Sequence, residues 1–167
     1  MNHRVSREDI SIRTELRPGD LGYVIHMHGA LYAKEYQHGI QFEAYVAQGL
    51  CQFYERYDPR RSRVWVCEHG GKMIGFLLLM DREEAAQLRY FLIEPDYRGL
   101  GLGSKLLNMY MDFLRACGYK RSYLWTTHEL TTAASLYKRI GFQLTEEKES
   151  SSFGKPLIEQ RYDLVLP

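Results

Sequence analysis

The chain is short of cysteine, short of long apolar runs and almost without net charge, and each shortage closes off a class of function. Its 167 residues include three cysteines, Cys51, Cys67 and Cys117, an odd number spread far apart with no CxxC pair. That pattern supports neither a disulfide framework nor a redox pair, and three reduced, mostly packed thiols are expected. The six histidines do not gather: His26 and His28 stand two apart on an expected helix and face different ways. A zinc site needs about four convergent ligands, so no metal is expected. No apolar stretch approaches the roughly 18 residues of a membrane span. Lys and Arg total 22 against 21 for Asp and Glu, a net charge of +1, which gives no global pull toward nucleic acid or an anionic membrane. Neither is an expected partner, and the basic cluster Arg60, Arg61 and Arg63 reads as a solvated loop. Met1 to Asp9 is polar, lacks the apolar core of a signal peptide, and reads as a tail over residues 1–9 of a cytoplasmic protein.

What is present fits one domain over residues 10–167, without repeats or low-complexity linkers. The hydrophobic fraction of 45% and charged fraction of 26% are ordinary for a globular chain. A chain of this size buries roughly 70% of its unfolded surface, enough for a sizeable core. The unusual count is 13 Tyr, a hint of half-polar surfaces and pockets.

The periodicities give an element order. Ile10 to Leu16 alternates as a half-buried strand. Leu21, Val24, His28, Leu31 and Glu35 recur at helical spacing, with His28 at the edge of the buried stripe and Gly39 as the breaker. Phe42, Val46, Gly49 and Phe53 mark a second helix. Arg63 to His69 and Lys72 to Met80 flank Gly70-Gly71 as a hairpin whose second arm is apolar on both sides, the mark of a central strand. Ala86 to Ile93 is a strand, Leu102 to Cys117 a helix, Tyr119 to Thr126 a strand and Leu130 to Ile140 a short helix. Phe142 to Lys148 and Ile158 to Leu166 are the last strands. The order β-α-α-β-β-β-α-β-α-β-β reads as a three-layer α/β/α fold with a mixed sheet.

Tyr97-Arg-Gly-Leu-Gly-Leu-Gly-Ser104 joins a strand to a helix and forms an anion cradle, because glycines let the backbone approach and the helix start offers free N–H groups. A Walker loop is excluded, since Ser104 stands where that pattern needs Gly before Lys. A dinucleotide fingerprint from Gly99 would need Gly at 104, and the next strand ends Leu124-Trp-Thr-Thr127 without an acid.

Arg98, Gly101 and Gly103 do supply Arg-x-x-Gly-x-Gly, and Ala133-x-x-Leu136-Tyr137-x-x-x-Gly141-Phe142 follows. On these two ordered motifs the chain resembles the GCN5-related N-acetyltransferases over residues 10–166. More loosely, Trp125 to Thr131 and Ser152-Phe-Gly154 are similar to acetyltransferase domains fused behind MarR-type regulators, with no winged-helix segment expected ahead of this one.

The resemblance implies acetyl-CoA as cosubstrate and direct transfer to a primary amine in a ternary complex. It implies a sheet splayed at its centre and a pyrophosphate held by backbone N–H groups of Gly99, Leu100, Gly101, Leu102, Gly103 and Ser104, beside Arg98. The pantetheine arm would run along Phe91, Leu92 and Ile93, with the Ile93 N–H as oxyanion donor and a bulge near Pro95. Tyr137 matches the general acid. Glu94, on the side of Tyr90 and Leu92, is a base acting through water or else a solvated strand-end carboxylate. Glu35, Tyr36 and Glu43 border the acceptor, as does the loop Ser150 to Pro156. Many relatives carry Asn where this chain has Leu130, a lost polar contact that Thr126, Thr127 or Thr131 would replace. Homodimerisation through the last strands is compatible with the fold. The alternative function is a non-catalytic acyl-CoA sensor or partner-binding module.

Overall fold

The computed structural model describes residues 4–167. The sheet grows outward from β3 (Lys72–Arg82), where every residue from Met73 to Met80 is buried, as a run apolar on both sides requires. β2 (Arg63–His69) pairs with it antiparallel, and β1 (Ser11–Arg13) flanks β2. On the other side β4 (Ala85–Ile93) runs antiparallel to β3, and β5 (Arg121–Thr127) runs parallel to β4. With β6 (Gln143–Ser150) and β7 (Leu157–Val165) the mixed sheet has seven strands in the order β1-β2-β3-β4-β5-β7-β6.

Helices cover both faces. Leu102, Leu106, Tyr110 and Leu114 form one side of α3 (Leu102–Ala116) and pack on Leu77 and Leu79, joined by Tyr137 of α4 (Thr131–Arg139). On the opposite face, α1 (Asp20–Tyr36) brings Val24 and Met27 while α2 (Ile40–Glu55) brings Val46, Leu50 and Phe53 against Phe76 and Leu78. Each such large apolar side chain contributes about 1.5–3 kcal/mol when fully buried. The three-layer expectation holds, and two half-cores sandwich one sheet.

Local departures have physical causes. β1 covers only Ser11–Arg13, because the Arg13 guanidinium turns to the buried Asp20 and to Glu68, both at 2.7 Å, and swings the chain toward α1. α1 stops at Tyr36, where Gln37 adopts φ +59° and its N–H bonds the Ala33 carbonyl at 3.1 Å; Gly39 starts α2 rather than ending α1. Arg61 and Arg63 lie over the rings of Tyr119 and Phe113 at 4.1 and 4.2 Å, so only Arg60 of that cluster fits the solvated reading. Cys67 is buried, Cys117 half-buried and Cys51 exposed. Among the described residues there is no group of metal-ligating side chains, and no helix is long and apolar enough to cross a membrane.

Two irregularities in β4 create the site. β4 and β5 share only the rungs Ala86↔Ser122 and Gln87↔Tyr123 and then diverge, so the sheet splays at its centre. Between the rungs Leu78↔Arg89 and Phe76↔Leu92, two residues of β4 oppose one of β3, and Tyr90 takes φ +58°. This bulge inverts the strand. Ala86 and Leu88 face α3, but beyond it Phe91 and Ile93 take over that side while Tyr90 and Leu92 join the α1–α2 core. The bulge expected near Pro95 thus lies at Tyr90–Phe91. Pro95 comes after the last rung, Gly75↔Ile93, has no ladder to interrupt, and opens a 3-10 turn over Pro95–Tyr97.

Candidate active site

The glycine turn lies between that 3-10 turn and α3. Gly99 and Gly101 hold φ of +80° and +77°, the left-handed region that a side chain resists. Leu102 is buried, Leu100 packs on the same core, and a Cβ on Gly103 would stand only 3.2 Å from Leu136 and 3.3 Å from Phe91. The side chains point inward and leave the backbone outward. The first-turn N–H groups, including those of Gly103 and Ser104, have no intrahelical acceptor and add to the positive end of the helix dipole.

A cation that the sequence reading missed reaches this turn. A Cβ on Gly101 would lie 3.2 Å from Nη1 of Arg7. Arg7 belongs to a 3-10 turn over Arg7–Asp9, in which the Ser6 N–H donates to Asp9 at 2.8 Å. Part of the expected tail is therefore structured against the cradle, while residues 1–3 of it lie outside the described residues.

Arg98 braces the turn from the other side. Its Nη1 and Nη2 donate to both carboxylate oxygens of Glu35 at 2.8 and 2.7 Å, and its Nε donates to the Ile93 carbonyl at 3.0 Å. The Arg98 hydrogen bonds hold the Glu35 carboxyl below its usual range. Glu35 is thus a partner of the cradle's arginine.

The splay opens a groove of about 810 Å³ between α1, β4 and the start of α4. Tyr36, Phe91, Leu92, Ile93 and Arg98 line it together with Thr131. The Glu94 N–H bonds the Ile74 carbonyl at 2.8 Å, so by antiparallel alternation the Leu92 N–H also faces β3. The N–H groups of Phe91 and Ile93 then face the gap, where an extended ligand can pair with them. α4 begins without help: Leu130 at its N-cap makes no side-chain cap bond, leaving N–H donors free at the groove.

A second cleft, about 730 Å³, opens on the other side of Phe91. Tyr32, Phe91 and Leu130 line both cavities and form their seam. The second cleft is walled by rings, among them Phe42, Tyr90, Trp125 and Phe153. Phe153 comes from the β6–β7 loop, which its carbonyl ties to the Gly39 N–H at 2.8 Å. Glu129 anchors the same region through Lys155 at 2.5 Å and His38 at 3.1 Å; burial would raise its carboxyl, but these partners keep it below the usual value.

Three buried polar atoms around the second cleft have no partner among the described residues: Nε2 of His28, the Tyr90 hydroxyl and Oγ1 of Thr127. Buried polar groups are normally paired, so such a cluster marks where a ligand or water supplies the partner. His28 is 2% exposed rather than at the edge of its stripe, and burial lowers its pKa to about 4. Nδ1 lies 2.8 Å from the Val24 carbonyl, so it carries the proton and Nε2 is left as an acceptor. Tyr137 lines this cleft, its hydroxyl makes no hydrogen bond among the described residues, and its ring centroid is 6.1 Å from that of Phe91; burial drives its phenol far above the ordinary value. Glu94 and Glu43 line neither cavity, and Glu43 instead packs over Gly29 of α1.

A family model described as the acetyltransferase (GNAT) family matches residues 27–142. The chain belongs to that family. An uncharacterised N-acetyltransferase of Methanocaldococcus jannaschii is 30% identical over 128 residues, 71% of this chain and 55% of the relative. The chain spans about half the length of the curated relatives it matches, with 55 and 59% for the first two. Among solved structures, yncA of Salmonella typhimurium with its cofactor acetyl-CoA superposes with a TM-score of 0.72 at 21% identity, covering 95% of this chain and 94% of that one. A spermidine N-acetyltransferase of Vibrio cholerae in complex with CoA and spermine gives 0.69 at 20% identity, covering 95 and 96%. At such identities the likeness is one of fold. The splayed β4–β5 pair and the glycine turn stand together in this GNAT chain, with Arg7 beside the turn and His28 and Thr127 at the second cleft.

Proposed function

We propose that this GNAT chain transfers an acetyl group from acetyl-CoA to a primary amine by direct attack in a ternary complex. The observation that carries this reading is the seam: two clefts on either side of the splay meet at Tyr32, Phe91 and Leu130, one reaching Arg98 and the other holding Tyr137. The first suits the cosubstrate. Gly99, Gly101 and the first turn of α3 offer N–H donors to a diphosphate, Arg7 and Arg98 flank it with positive charge, and the N–H groups of Phe91 and Ile93 pair with an extended arm.

Acetyl-CoA supplies the thioester carbon; as the C–N bond forms there, the C–S bond breaks and sulfur leaves with the electron pair. At the seam, the Phe91 N–H is the donor nearest the second cleft and stabilises the developing oxyanion, a role that the family resemblance assigns to Ile93. Tyr137 gives its proton to the departing sulfur and recovers one from the nitrogen that becomes the amide. Its raised pKa keeps it protonated, the form an acid needs. Nε2 of His28 stays unprotonated at neutral pH and accepts a hydrogen bond from the amine or from water. Glu94 has no place in either cleft, which favours a water-mediated loss of the ammonium proton.

Thiol release from acetyl-CoA with a panel of amines tests the activity. Release with at least one amine, lost in Gly101→Glu together with acetyl-CoA binding, is expected. A chain that binds acetyl-CoA yet liberates no CoA above hydrolysis would be the acyl-CoA-binding module instead.

A further inference from the structure

The second cleft holds two opposite charges that the fold leaves unpaired. The Arg89 guanidinium lies over the rings of Tyr90 and Tyr45, at 4.7 and 5.4 Å, and has no hydrogen bond or ion pair among the described residues. It fits there because Gly49 of α2 has no side chain: a Cβ would stand 2.8 Å from Nη2 and 3.0 Å from Nη1. Glu159 of β7, opposite Thr127 of β5 in register, lines the same cleft, and its carboxylate likewise has no hydrogen bond or ion pair among the described residues. Of the neighbouring charges, Arg82 is engaged with Gln87 at 2.9 Å and Arg161 with Asp163 at 2.9 Å, while Lys148, opposite Glu159 in register, lies over the Trp125 ring at 4.6 Å.

The position of Arg89 follows from the bulge. Arg89 and Tyr90 are consecutive yet both face α2, which strict alternation forbids. The bulge thus delivers a guanidinium to the acceptor side of a strand whose next residues serve the other groove. Past Arg89 the cleft continues into an outer groove that shares Tyr45, Gln87 and Trp125 with it, so Arg89 lies toward the outer groove and the seam at Phe91 lies inward.

Granted the amine-acetylating reading above, we infer that the acceptor is an amine that also carries a carboxylate, an apolar or aromatic amino acid rather than a polyamine, with Arg89 holding the carboxylate. A guanidinium stacked on rings keeps its N–H edge free and matches a carboxylate in two parallel bonds. The aromatic walls take an apolar body. Glu159 draws the ammonium end, and a polycation would meet Arg89 as a like charge in a poorly solvated cleft. The spermine of the Vibrio cholerae structure is a contrasting chemistry on the same fold.

Two measurements test this. Thiol release is followed with L-phenylalanine, L-tryptophan and L-methionine, each against its decarboxylated amine (phenethylamine, tryptamine and 3-(methylthio)propylamine) and against spermidine. Each amino acid should exceed its amine at least tenfold in kcat/KM. Arg89→Gln should bring that ratio near one, and Arg89→Lys, which keeps the charge, should retain a preference. Equal or better turnover of the amines or spermidine overturns the inference and leaves the acetyltransfer reading standing. Calorimetry in the presence of unreactive CoA reads binding without turnover. Amino acids that bind while their amines do not support the carboxylate site even if acetyl transfer fails. Absent amino-acid binding, or binding unchanged in Arg89→Gln, overturns it.

Discussion

Arg98 and Glu35 are joined by two parallel hydrogen bonds, 2.8 and 2.7 Å, across 63 positions of sequence. The pair ties α1 to the glycine turn, and the third bond from Arg98 to the Ile93 carbonyl ties the turn to β4. Glu35, expected at the border of the acceptor, thus fixes the arginine beside the glycine turn and lines the groove that reaches it.

Glu35→Gln should loosen this brace. With Arg98 45% and Glu35 25% exposed, solvent screening limits the loss of stability to about 0.5–1 kcal/mol. The Glu35 pKa is lowered in the fold, so its contribution is present above the unfolded value of about 4.3 and disappears as pH falls through the folded one. Urea unfolding of both proteins should show a gap at pH 7 that narrows as pH falls below the unfolded value of about 4.3, and the KM for acetyl-CoA should rise a few-fold in the variant. A gap that stays constant as pH falls would mean that the pair is not its source.

Arg7 should matter to cosubstrate binding although no motif includes it. Arg7→Ala removes the guanidinium beside Gly101 and should weaken acetyl-CoA binding about three- to tenfold, an effect that shrinks in high salt as an exposed charge pair requires. Gly101→Ala adds strain of about 1–3 kcal/mol at a left-handed backbone position and a Cβ 3.2 Å from Arg7. Titration calorimetry at two salt concentrations separates the two, because the glycine variant should lose affinity equally at both.

The element order was legible because helices and strands here announce themselves by local period. All the long elements appear where the repeats of Val46, Leu106 or Met73–Met80 put them, with ends displaced by a few residues. The glycine turn was legible because positive φ demands glycine. What stayed hidden is non-local. Nothing within β4 says that Tyr90 will take φ +58°, since the extra residue answers the divergence of β5 rather than a turn signal. Counting by two from Ala86 therefore puts Phe91 on the wrong side. Arg7 reaches the glycine turn and Glu159 the second cleft from distant segments, and pairing across 63 positions leaves no trace in spacing.

Tyr137→Phe should lower kcat by about 10- to 100-fold and leave acetyl-CoA affinity nearly unchanged, since positioned proton donors typically contribute factors of this order or more. Tyr137 lines the second cleft and not the groove that reaches Arg98, so in the proposed reaction its loss falls on turnover rather than on acetyl-CoA binding. Burial raises the phenol well above its ordinary value, so the wild-type profile of kcat against pH should show no falling limb from this group below about pH 10. Pre-steady-state thiol release checks the chemical step directly; unchanged rates in the variant would remove Tyr137 from the mechanism.

His28 should make the fold acid-sensitive. Its folded pKa is lowered to about 4 by complete burial, against about 6.5 in an unfolded chain. Between those values the unfolded state binds more protons, so stability rises with pH there and is lost as pH falls from 6.5 to 4. The full loss corresponds to about 3 kcal/mol. His28→Phe keeps a ring where the imidazole stacks on Tyr32 at 5.7 Å and meets Tyr90 edge-on at 5.7 Å, yet has nothing to protonate. Between pH 7 and pH 4 the wild type should lose about 3 kcal/mol more than this variant in urea unfolding. The variant also deletes the acceptor Nε2, so its KM for the amine should rise while acetyl-CoA binding holds. Parallel acid profiles in the two proteins would show that His28 is protonated within the fold, and the neutral acceptor assigned to the second cleft would then be wrong.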